Sequence, residues 1–189
     1  MDTSDKRTAV IQATIELVAE YGFHGSPMSQ IAKQTGVAAG TIYHYFESKD
    51  ELILAAYTHL EAQLLEIIMH GDTVQLPVRE RFLHIGRTLL GIFAESPVTF
   101  RYVEQFYNSP YSIAYRRERL LSQKNDLVVS LFEAGILQQV VKELPLTILL
   151  GLAFGPLMTI SRDAIAGLVE LDEPLMLKIV EACWDAVKR

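Results

Sequence analysis

The sequence predicts an all-α fold of about nine helices, and three observations support this prediction. Apolar residues recur at helical spacing almost throughout the 189-residue chain, and no stretch alternates cleanly with a period of two. Half of the residues are apolar, which is enough for a substantial core. Glycine and proline interrupt the apolar pattern at intervals that suit helices joined by short turns.

The N-terminal segment predicts a first helix from about Ser4 to Gly22, with Ser4 or Asp5 as its cap. The run "HGSPMS" follows. It offers Ser26 as the N-cap of a short second helix and Pro27 as its first helical residue.

The second helix is predicted to stop at Gly36, because glycine readily takes the left-handed conformation that ends a helix. A third short helix is predicted over residues 39–46. Ser48 and Glu51 have the spacing of a capping box, which predicts a long fourth helix that ends at about His70.

Five further helices are predicted in the remainder of the chain, because it is interrupted at Pro77, Ser96–Pro97, Asn108–Ser109–Pro110, Leu144–Pro145 and the run "LDEP" at 171–174. The predicted domains are an N-terminal domain of three helices over 1–47 and a larger helical domain over 48–189.

Residues 144–161 contain no charged side chain and just reach the length of a transmembrane helix. Two prolines and two glycines lie within this segment, and no basic cluster flanks it. A buried or interface helix therefore explains it better than a membrane span. The Gly151–xxx–Gly155 spacing would allow two helix backbones to approach closely.

Charge and cysteine content limit the classes of function. The net charge of −6 argues against bulk attraction to nucleic acid or to an anionic membrane, so any contact with DNA must depend on the placement of individual groups. The single cysteine, Cys183, excludes an internal disulfide and fits a reducing compartment. The N-terminus "MDTSDKRTAV" does not have the pattern of a signal peptide, and we expect a cytoplasmic protein.

Residues 28–46 meet the steric demands of a helix-turn-helix. Ala32 is small where the two helices would cross, and Gly36 allows the turn. The residues with the spacing to pack inward are Ile31, Val37, Ile42 and Tyr45. An ordinary helical hairpin tolerates the same glycine and alanine. The pattern alone therefore does not decide between the two.

The residues around this pattern carry a more specific signal. A first helix that ends in "YGF", followed by "IAKQTGVAAGTIYHYFESKDEL", resembles the N-terminal domain of the TetR/AcrR-family transcriptional regulators over about residues 8–55. The downstream part matches no motif. Its length and helical pattern fit the family's ligand-binding and dimerisation domain.

The resemblance implies that the third helix enters the major groove of a double-stranded DNA operator. Gly40 would let the backbone approach, Thr41 would offer a hydroxyl and a methyl group, and further residues would contact bases or phosphates. The implied DNA-binding residues are Ser29, Ala39, Gly40, Thr41, Tyr43, His44, Tyr45 and Lys49. Lys6 and Arg7 would assist.

Two positions depart from the family pattern. Ala38 stands where members commonly have a serine or threonine cap, so the third helix lacks a side-chain cap that is typically worth ~1 kcal/mol. Ala39 contributes only a methyl group. The operator sequence therefore cannot be deduced from this helix.

Aromatic residues are concentrated in positions 93–115, which hold seven of the 17 in the chain. Core packing explains any one ring. As a group, the rings could line a pocket for a small hydrophobic or aromatic inducer, which the resemblance also implies. The predicted ligand-binding residues are Phe93, Phe100, Tyr102, Glu104, Phe106, Tyr107, Tyr111 and Tyr115, with Phe154 and Met158 from another helix.

Glu104 is of special interest because Phe100, Glu104 and Tyr107 share one face of a predicted helix. This carboxylate would complement a cationic or hydrogen-bond-donating inducer, or it would form a surface pair with Arg101. The last two predicted helices, 145–168 and 173–188, are apolar on several faces. The resemblance implies that they form a four-helix bundle in a homodimer.

The sequence contains no motif of an enzyme, and we expect no cofactor and no metal site. His59, Glu66 and His70 share a face of the fourth helix, but their spacing is not that of metal ligands. The resemblance therefore implies a dimeric transcriptional repressor that a small hydrophobic or aromatic ligand releases from DNA. Two alternatives stay open beside it. One is a DNA-binding protein of the same fold that is controlled by a protein partner, and the other is a helical lipid or small-molecule carrier with a vestigial helix-turn-helix.

Overall fold

The computed structural model describes residues 3–71, 74–122 and 126–189, and these residues form ten α-helices and no β-strand. An isolated antiparallel bridge joins Val141 and Lys188. The all-α prediction is confirmed. The helices are α1 Thr3–Tyr21, α2 Met28–Thr35, α3 Ala39–Tyr45, α4 Lys49–Met69, α5 Val78–Glu95, α6 Pro97–Tyr107, α7 Pro110–Ser122, α8 Leu127–Leu137, α9 Leu146–Ile165 and α10 Glu173–Val187.

The expected number of about nine helices is too low, because one predicted helix is in fact two. α7 ends at Ser122 and α8 begins at Leu127. Asp126 fixes the start of α8, since its carboxylate accepts hydrogen bonds from the backbone N–H groups of Val128 at 2.9 Å and Val129 at 3.3 Å. An aspartate at this position is a helix start signal that the sequence analysis did not use.

The caps predicted for the first two helices were wrong. α1 begins at Thr3, so neither Ser4 nor Asp5 occupies the position before the helix that was predicted for it. Pro27, and not Ser26, is the N-cap residue of α2. The hydroxyl of Ser26 is buried and donates to the carbonyl of Gly22 at 2.8 Å, so it stabilises the turn that follows α1.

The predicted start of α4 is close to the observed one. The hydroxyl of Ser48 accepts a hydrogen bond from the backbone N–H of Glu51 at 3.1 Å, as in a capping box. The carboxylate of Glu51 accepts from the N–H of Glu47 at 2.6 Å, one residue before the group that a standard capping box uses. The first bond satisfies a backbone donor in the first turn of α4, and the second satisfies a donor just before the helix.

Packing divides the chain into two compact units. The first comprises Met1–Gln63 and Val98–Glu118, and the second comprises Leu64–Pro97 and Arg119–Arg189. The domain boundary predicted after residue 47 falls inside the first unit. Its helices α1, α2 and α3 pack on one another around side chains with no solvent exposure, among them Val10, Ile31 and Ile42.

Helix α6 and the first turns of α4 also pack together in the first unit. The hydroxyl of Tyr102 is buried and donates to the backbone carbonyl of Ile53 at 2.8 Å. The ring of Tyr57 stacks on that of Phe106, with 3.8 Å between the ring centroids and 8° between their planes. Residues 98–118 therefore belong to the core that supports the N-terminal helices.

The second unit has its own core, in which α5 packs against α8, α9 and α10. Gly86 of α5 permits the close approach of α10, because a Cβ atom there would lie 2.5 Å from Cγ1 of Val180. The largest buried side chains of this core include Phe82, Phe132 and Trp184.

Two of the described helices, α4 and α9, have the length and apolar composition that a membrane span requires. Core helices of globular proteins meet the same criterion, so this feature is weak evidence for a membrane. In α9, 22% of the most apolar 18-residue window is buried within the structure. The single chain therefore leaves much of this apolar helix uncovered.

We expect Tyr102→Phe to lower the stability of the protein by about 1 kcal/mol, because the carbonyl of Ile53 loses a buried hydrogen bond. This loss corresponds to roughly 2–4 °C in Tm for a chain of this length. The measurement is thermal unfolding followed by circular dichroism. Tyr111→Phe is the matched control, since its hydroxyl bonds to Asp50 at an exposed site. An equal Tm for Tyr102→Phe and the unmodified protein would contradict the assignment.

Candidate DNA-binding surface

The turn between α2 and α3 is fixed by two neighbouring residues. Gly36 has a φ of 68°, a left-handed conformation that ends α2. The hydroxyl of Thr35 donates to the carbonyl of Ile31 at 2.8 Å and accepts from the N–H of Val37 at 3.2 Å. Ile31, Val37 and Ile42 are buried, as a helix-turn-helix requires. Gly36 was predicted to end α2, whereas the two bonds of Thr35 become visible only in the structure.

Four of the predicted DNA-binding residues form the exposed face of α3. Ala39, Gly40, Tyr43 and His44 are exposed, and Tyr43 presents 53% of its surface to solvent. They are spaced at i, i+1, i+4 and i+5, so they lie on one side of the helix, while Ile42 on the other side is fully buried. This face offers a phenol hydroxyl and an imidazole with a nearly bare backbone beside them.

Gly40 has no role in packing that would explain its presence. A Cβ atom at this position would meet no heavy atom within 4 Å. Glycine in a helix costs roughly 1 kcal/mol relative to alanine. Because no group of the described chain needs the space, the position suits close approach by an external surface such as a DNA backbone.

Thr41 and Tyr45 are half-buried and stand at the edge of the exposed face. The ring of Tyr45 lies 6.0 Å from that of His44 and 6.5 Å from that of buried Phe46, measured between centroids. Tyr45 therefore connects the exposed face with the core.

The remaining predicted contacts lie on neighbouring elements. Ser29 is exposed in the first turn of α2. Lys49 is half-buried, and its ammonium donates a hydrogen bond to the carbonyl of Phe23, which ties the start of α4 to the turn after α1. The guanidinium of Arg7 lies 5.0 Å from the centre of the Phe46 ring, a cation–π distance that positions this charge beside the end of α3.

The residues predicted to bind a ligand are distributed over both packing units. Phe100, Tyr102 and Phe106 are buried in the first unit, where Glu104, Tyr111 and Tyr115 are half-buried and Tyr107 is 46% exposed. In the second unit Phe93 is buried, and Phe154 and Met158 are half-buried.

Tyr57 contacts three of these rings. It was not among the residues predicted from the sequence. Its ring contacts those of Phe106, Tyr107 and Tyr115, with centroid distances of 3.8, 6.1 and 5.2 Å. Burial raises the pKa of its hydroxyl well above the ordinary value, so the phenol stays neutral. The hydroxyls of Tyr57 and Tyr115 both donate to the carboxylate of Glu61. Tyr57 and Glu61 are four residues apart on α4, and this spacing is the sequence signal for their contact.

Phe23 contacts two further aromatic rings of the first unit. Its centroid lies 6.3 Å from that of Tyr102 and 5.4 Å from that of Tyr111, both with edge geometry. The side-chain amide of Gln105 donates to the carbonyl of Val18 at 2.7 Å, near the end of α1. No local sequence signal could have found this bond, because it joins residues far apart in the chain.

Comparison with protein families gives two matches along the chain. Residues 10–56 match the model of bacterial regulatory proteins of the tetR family. Residues 77–188, more than half of the chain, match the model of a tetracycline-repressor-like C-terminal domain.

Individual proteins show the same similarity. The chain is 43% identical over 61 residues to the fatty acid metabolism regulator protein of Bacillus subtilis, a match that covers 32% of this chain and 31% of that protein. Curated relatives of this kind are matched over between 31% and 49% of their own length. The chain is also similar to a TetR family transcription regulator from Marinobacter aquaeolei, with 26% identity, a TM-score of 0.84, and coverage of 98% and 96% of the two chains.

A further solved structure has the same fold at lower identity. The regulator FadR of Bacillus subtilis, solved in complex with stearoyl-CoA, is 19% identical with a TM-score of 0.73, and the match covers 94% of this chain and 95% of that one.

We expect Tyr43→Ala, and separately Thr41→Ala, to weaken DNA binding while the melting temperature changes little, because Tyr43 is exposed and Thr41 is only half-buried. Each lost contact should raise the dissociation constant by roughly tenfold, given 1–3 kcal/mol for a good base contact. Fluorescence anisotropy with a labelled duplex selected from a random library is the measurement. Glu20→Ala, an exposed residue near the end of α1, is the control. Unchanged affinity in both variants would remove α3 from the DNA contact.

Proposed function

The chain belongs to the TetR family of bacterial regulatory proteins, and we propose that it acts as a cytoplasmic, dimeric transcriptional repressor. In this proposal α3 binds the major groove of a palindromic operator, and a small hydrophobic or aromatic ligand releases the protein from DNA. The observation that carries the proposal is the exposed face of α3, where polar side chains surround a glycine that no contact among the described residues requires. Its role is regulatory and not catalytic.

The kind of polar group on this surface explains how a protein with a net negative charge would bind DNA. Hydroxyl groups of Ser29, Thr41, Tyr43 and Tyr45 can contact phosphates or bases without a formal charge. The positive charge of Arg7 is held near the end of α3 by its position over the ring of Phe46. Binding therefore depends on geometry more than on net charge.

Dimer formation is supported by the outer face of α9. Ile148 is 50% exposed and Leu152 is 39% exposed, and Gly151 and Gly155 on the same face are exposed as well. A Cβ atom at either glycine would meet no heavy atom within 4 Å. An apolar helix face with small residues lets a second helix approach closely, and a second copy of the chain would cover it.

A two-fold dimer also fits the proposed DNA target. Two copies of α3 related by the two-fold axis would read half-sites about 34–36 Å apart, one turn of DNA. A ligand that changes the separation or mobility of the two helices would then release the operator. We place the homodimer interface on α9 and α10, and we propose no contact with a membrane.

The ligand site that we propose includes the rings of α6 and α7 together with Glu104. Tyr107 and Glu104 are the accessible members of the helix face that they share with buried Phe100. The structural neighbour FadR from Bacillus subtilis was solved in complex with stearoyl-CoA. This similarity supports a ligand with an apolar part for the present chain.

The experiment that tests regulation is release of the protein from its selected duplex by fractions of a bacterial extract. Release by the small-molecule ultrafiltrate supports the proposed inducer. Release only by the retained, protease-sensitive fraction supports control by a protein partner. If no duplex can be selected from a random library, the protein is better explained as a helical lipid or small-molecule carrier.

We expect Gly151→Leu or Gly155→Leu to shift the protein from dimer to monomer. Overpacking of this kind typically costs about 1–3 kcal/mol per site, and the two-fold axis places the change in both protomers, so the dissociation constant should rise at least roughly tenfold. Light scattering after size-exclusion chromatography measures the mass. Ala94→Leu, at an exposed helical position of the same unit, is the control. A dimer mass that stays constant at every concentration argues that the glycines face something else.

For Glu104→Gln we expect a higher concentration of inducer for release from DNA and an unchanged affinity for the operator. The reason is that a neutral amide no longer attracts a cationic or hydrogen-bond-donating ligand among the rings. Titration of inducer against the protein–duplex complex measures both quantities. Glu118→Gln, at an exposed position on α7, controls for the change in net charge. The carboxylate has no such role if release is unaffected or if the inducer is an acid or a neutral alkyl chain.

A further inference from the structure

A groove of about 500 Å³ lies on the surface of the second unit, along α5 and beside the end of α4 and the start of α10. Its apolar lining includes Leu83, Ile92 and Leu177, which are half-buried, and its charged lining residues are exposed. It therefore has an apolar floor and a charged rim. The volume is within the range of about 300–1,000 Å³ that is usual for small-molecule sites.

Gly91 lies in this groove, and packing among residues 3–71, 74–122 and 126–189 does not require a glycine there. It is in the last two turns of α5, where glycine disfavours the helix relative to alanine. A Cβ atom at Gly91 would meet no heavy atom within 4 Å, whereas one at Gly86 on the same helix would collide with Val180. Gly86 thus has an internal reason to be glycine. Gly91 leaves the backbone of α5 open to a molecule from outside.

The charges around the groove favour a positive ligand. Three carboxylates, those of Glu80, Glu95 and Glu173, line it together with one guanidinium, that of Arg87. Arg87 is already paired with Glu173, with 2.6 Å between Nη2 and Oε2. Within the described part of the chain, neither Glu80 nor Glu95 forms a hydrogen bond or an ion pair.

The two unpaired carboxylates stand at opposite ends of the groove. Fifteen residues of helix separate them along α5, or about 22 Å at the usual rise per residue. Glu95 is one turn beyond Gly91 and on the same face of the helix, and Ile92 lies beside them. The part of the groove around Gly91 therefore combines open backbone, apolar surface and one free negative charge.

We propose that this groove binds an amphipathic cation, a molecule with an amine or quaternary ammonium group and a short apolar chain. The positive group lies beside the carboxylate of Glu95, and the apolar chain covers the backbone at Gly91 and the side chains of the groove floor. None of the residues proposed for the inducer site lines this groove, so this is a second and separate ligand site.

The test uses the full chain, without DNA, and three probes in isothermal titration calorimetry. Octyltrimethylammonium, below its micelle concentration, has both the charge and the apolar chain and should bind. Tetramethylammonium has only the charge and octanoate has the opposite charge, so both should bind far more weakly. No DNA is present, so the result does not depend on repression. Octyltrimethylammonium also has the charge proposed for the inducer, so its binding is assigned to the groove only if Gly91→Leu weakens it and Glu104→Gln does not.

Variants locate the site. Gly91→Leu places a side chain in the space that the apolar chain of octyltrimethylammonium would occupy. The resulting overpacking should weaken binding at least roughly tenfold. The variant should fold normally, with a Tm no lower than that of the unmodified protein, because leucine favours helix and meets no neighbour. Glu95→Gln removes one exposed charge and should weaken binding roughly two- to fivefold. Glu133→Gln, at an exposed position of α8, should have no effect.

The proposal is overturned by any of four results. These are no measurable binding of octyltrimethylammonium, equal binding of octanoate, binding that Gly91→Leu leaves intact, or a change of oligomeric mass in Gly91→Leu. The last result would show that a second copy of the chain, and not a small cation, covers the groove.

Discussion

The attachment of α6 and α7 to the N-terminal helices is the constraint on which the proposed DNA-binding surface depends. Helices α2 and α3 have only eight and seven residues, below the length at which isolated helices persist in water. They hold their shape because Ile31 and Ile42 are buried against α1. That small core is in turn closed by residues from a distant part of the chain.

Polar side chains make this attachment specific. The hydroxyl of Tyr102 bonds to the backbone of α4, and the amide of Gln105 bonds to the carbonyl of Val18 near the end of α1. Hydrogen bonds to a backbone carbonyl fix direction and distance, whereas apolar contacts alone would allow the helices to slide. The stack of Tyr57 on Phe106 adds buried area at the same junction. A change in residues 98–118 would therefore alter the packing of the helices that support α3.

Glycines that lack an internal contact mark the surfaces to which we assign partners. Gly40 lies on the face of α3, Gly151 and Gly155 lie on the outer face of α9, and Gly91 lies in the groove of α5. Gly86 and Gly135 are different, because a Cβ atom at either would collide with a valine of the same chain. A helical glycine with no neighbour makes the helix less stable than alanine would, and it leaves the backbone exposed. This loss of stability has an explanation where another molecule approaches that backbone.

The sequence predicted local features better than distant ones. Gly36, the Ser48 cap and the bare start of α3 at Ala38 follow from the chemistry of a few adjacent residues, and the structure agrees with them. The break before α8 was missed although Asp126 signals it. The packing around Tyr57 and the bond from Gln105 to Val18 could not be predicted, because they join residues that only the folded chain brings together. The assignment of α3 to DNA came from the resemblance of residues 8–55 to a family, and not from charge.

Hydroxyl-radical footprinting on a duplex selected by the protein from a random library tests the central claim most directly. The account predicts two protected half-sites on one face of the DNA, with their centres one helical turn apart and related by a two-fold axis. Saturation should require two chains per duplex. A single protected half-site, protection that is uniform along the duplex, or a failure to select any sequence would contradict a dimer that reads DNA through the exposed face of α3.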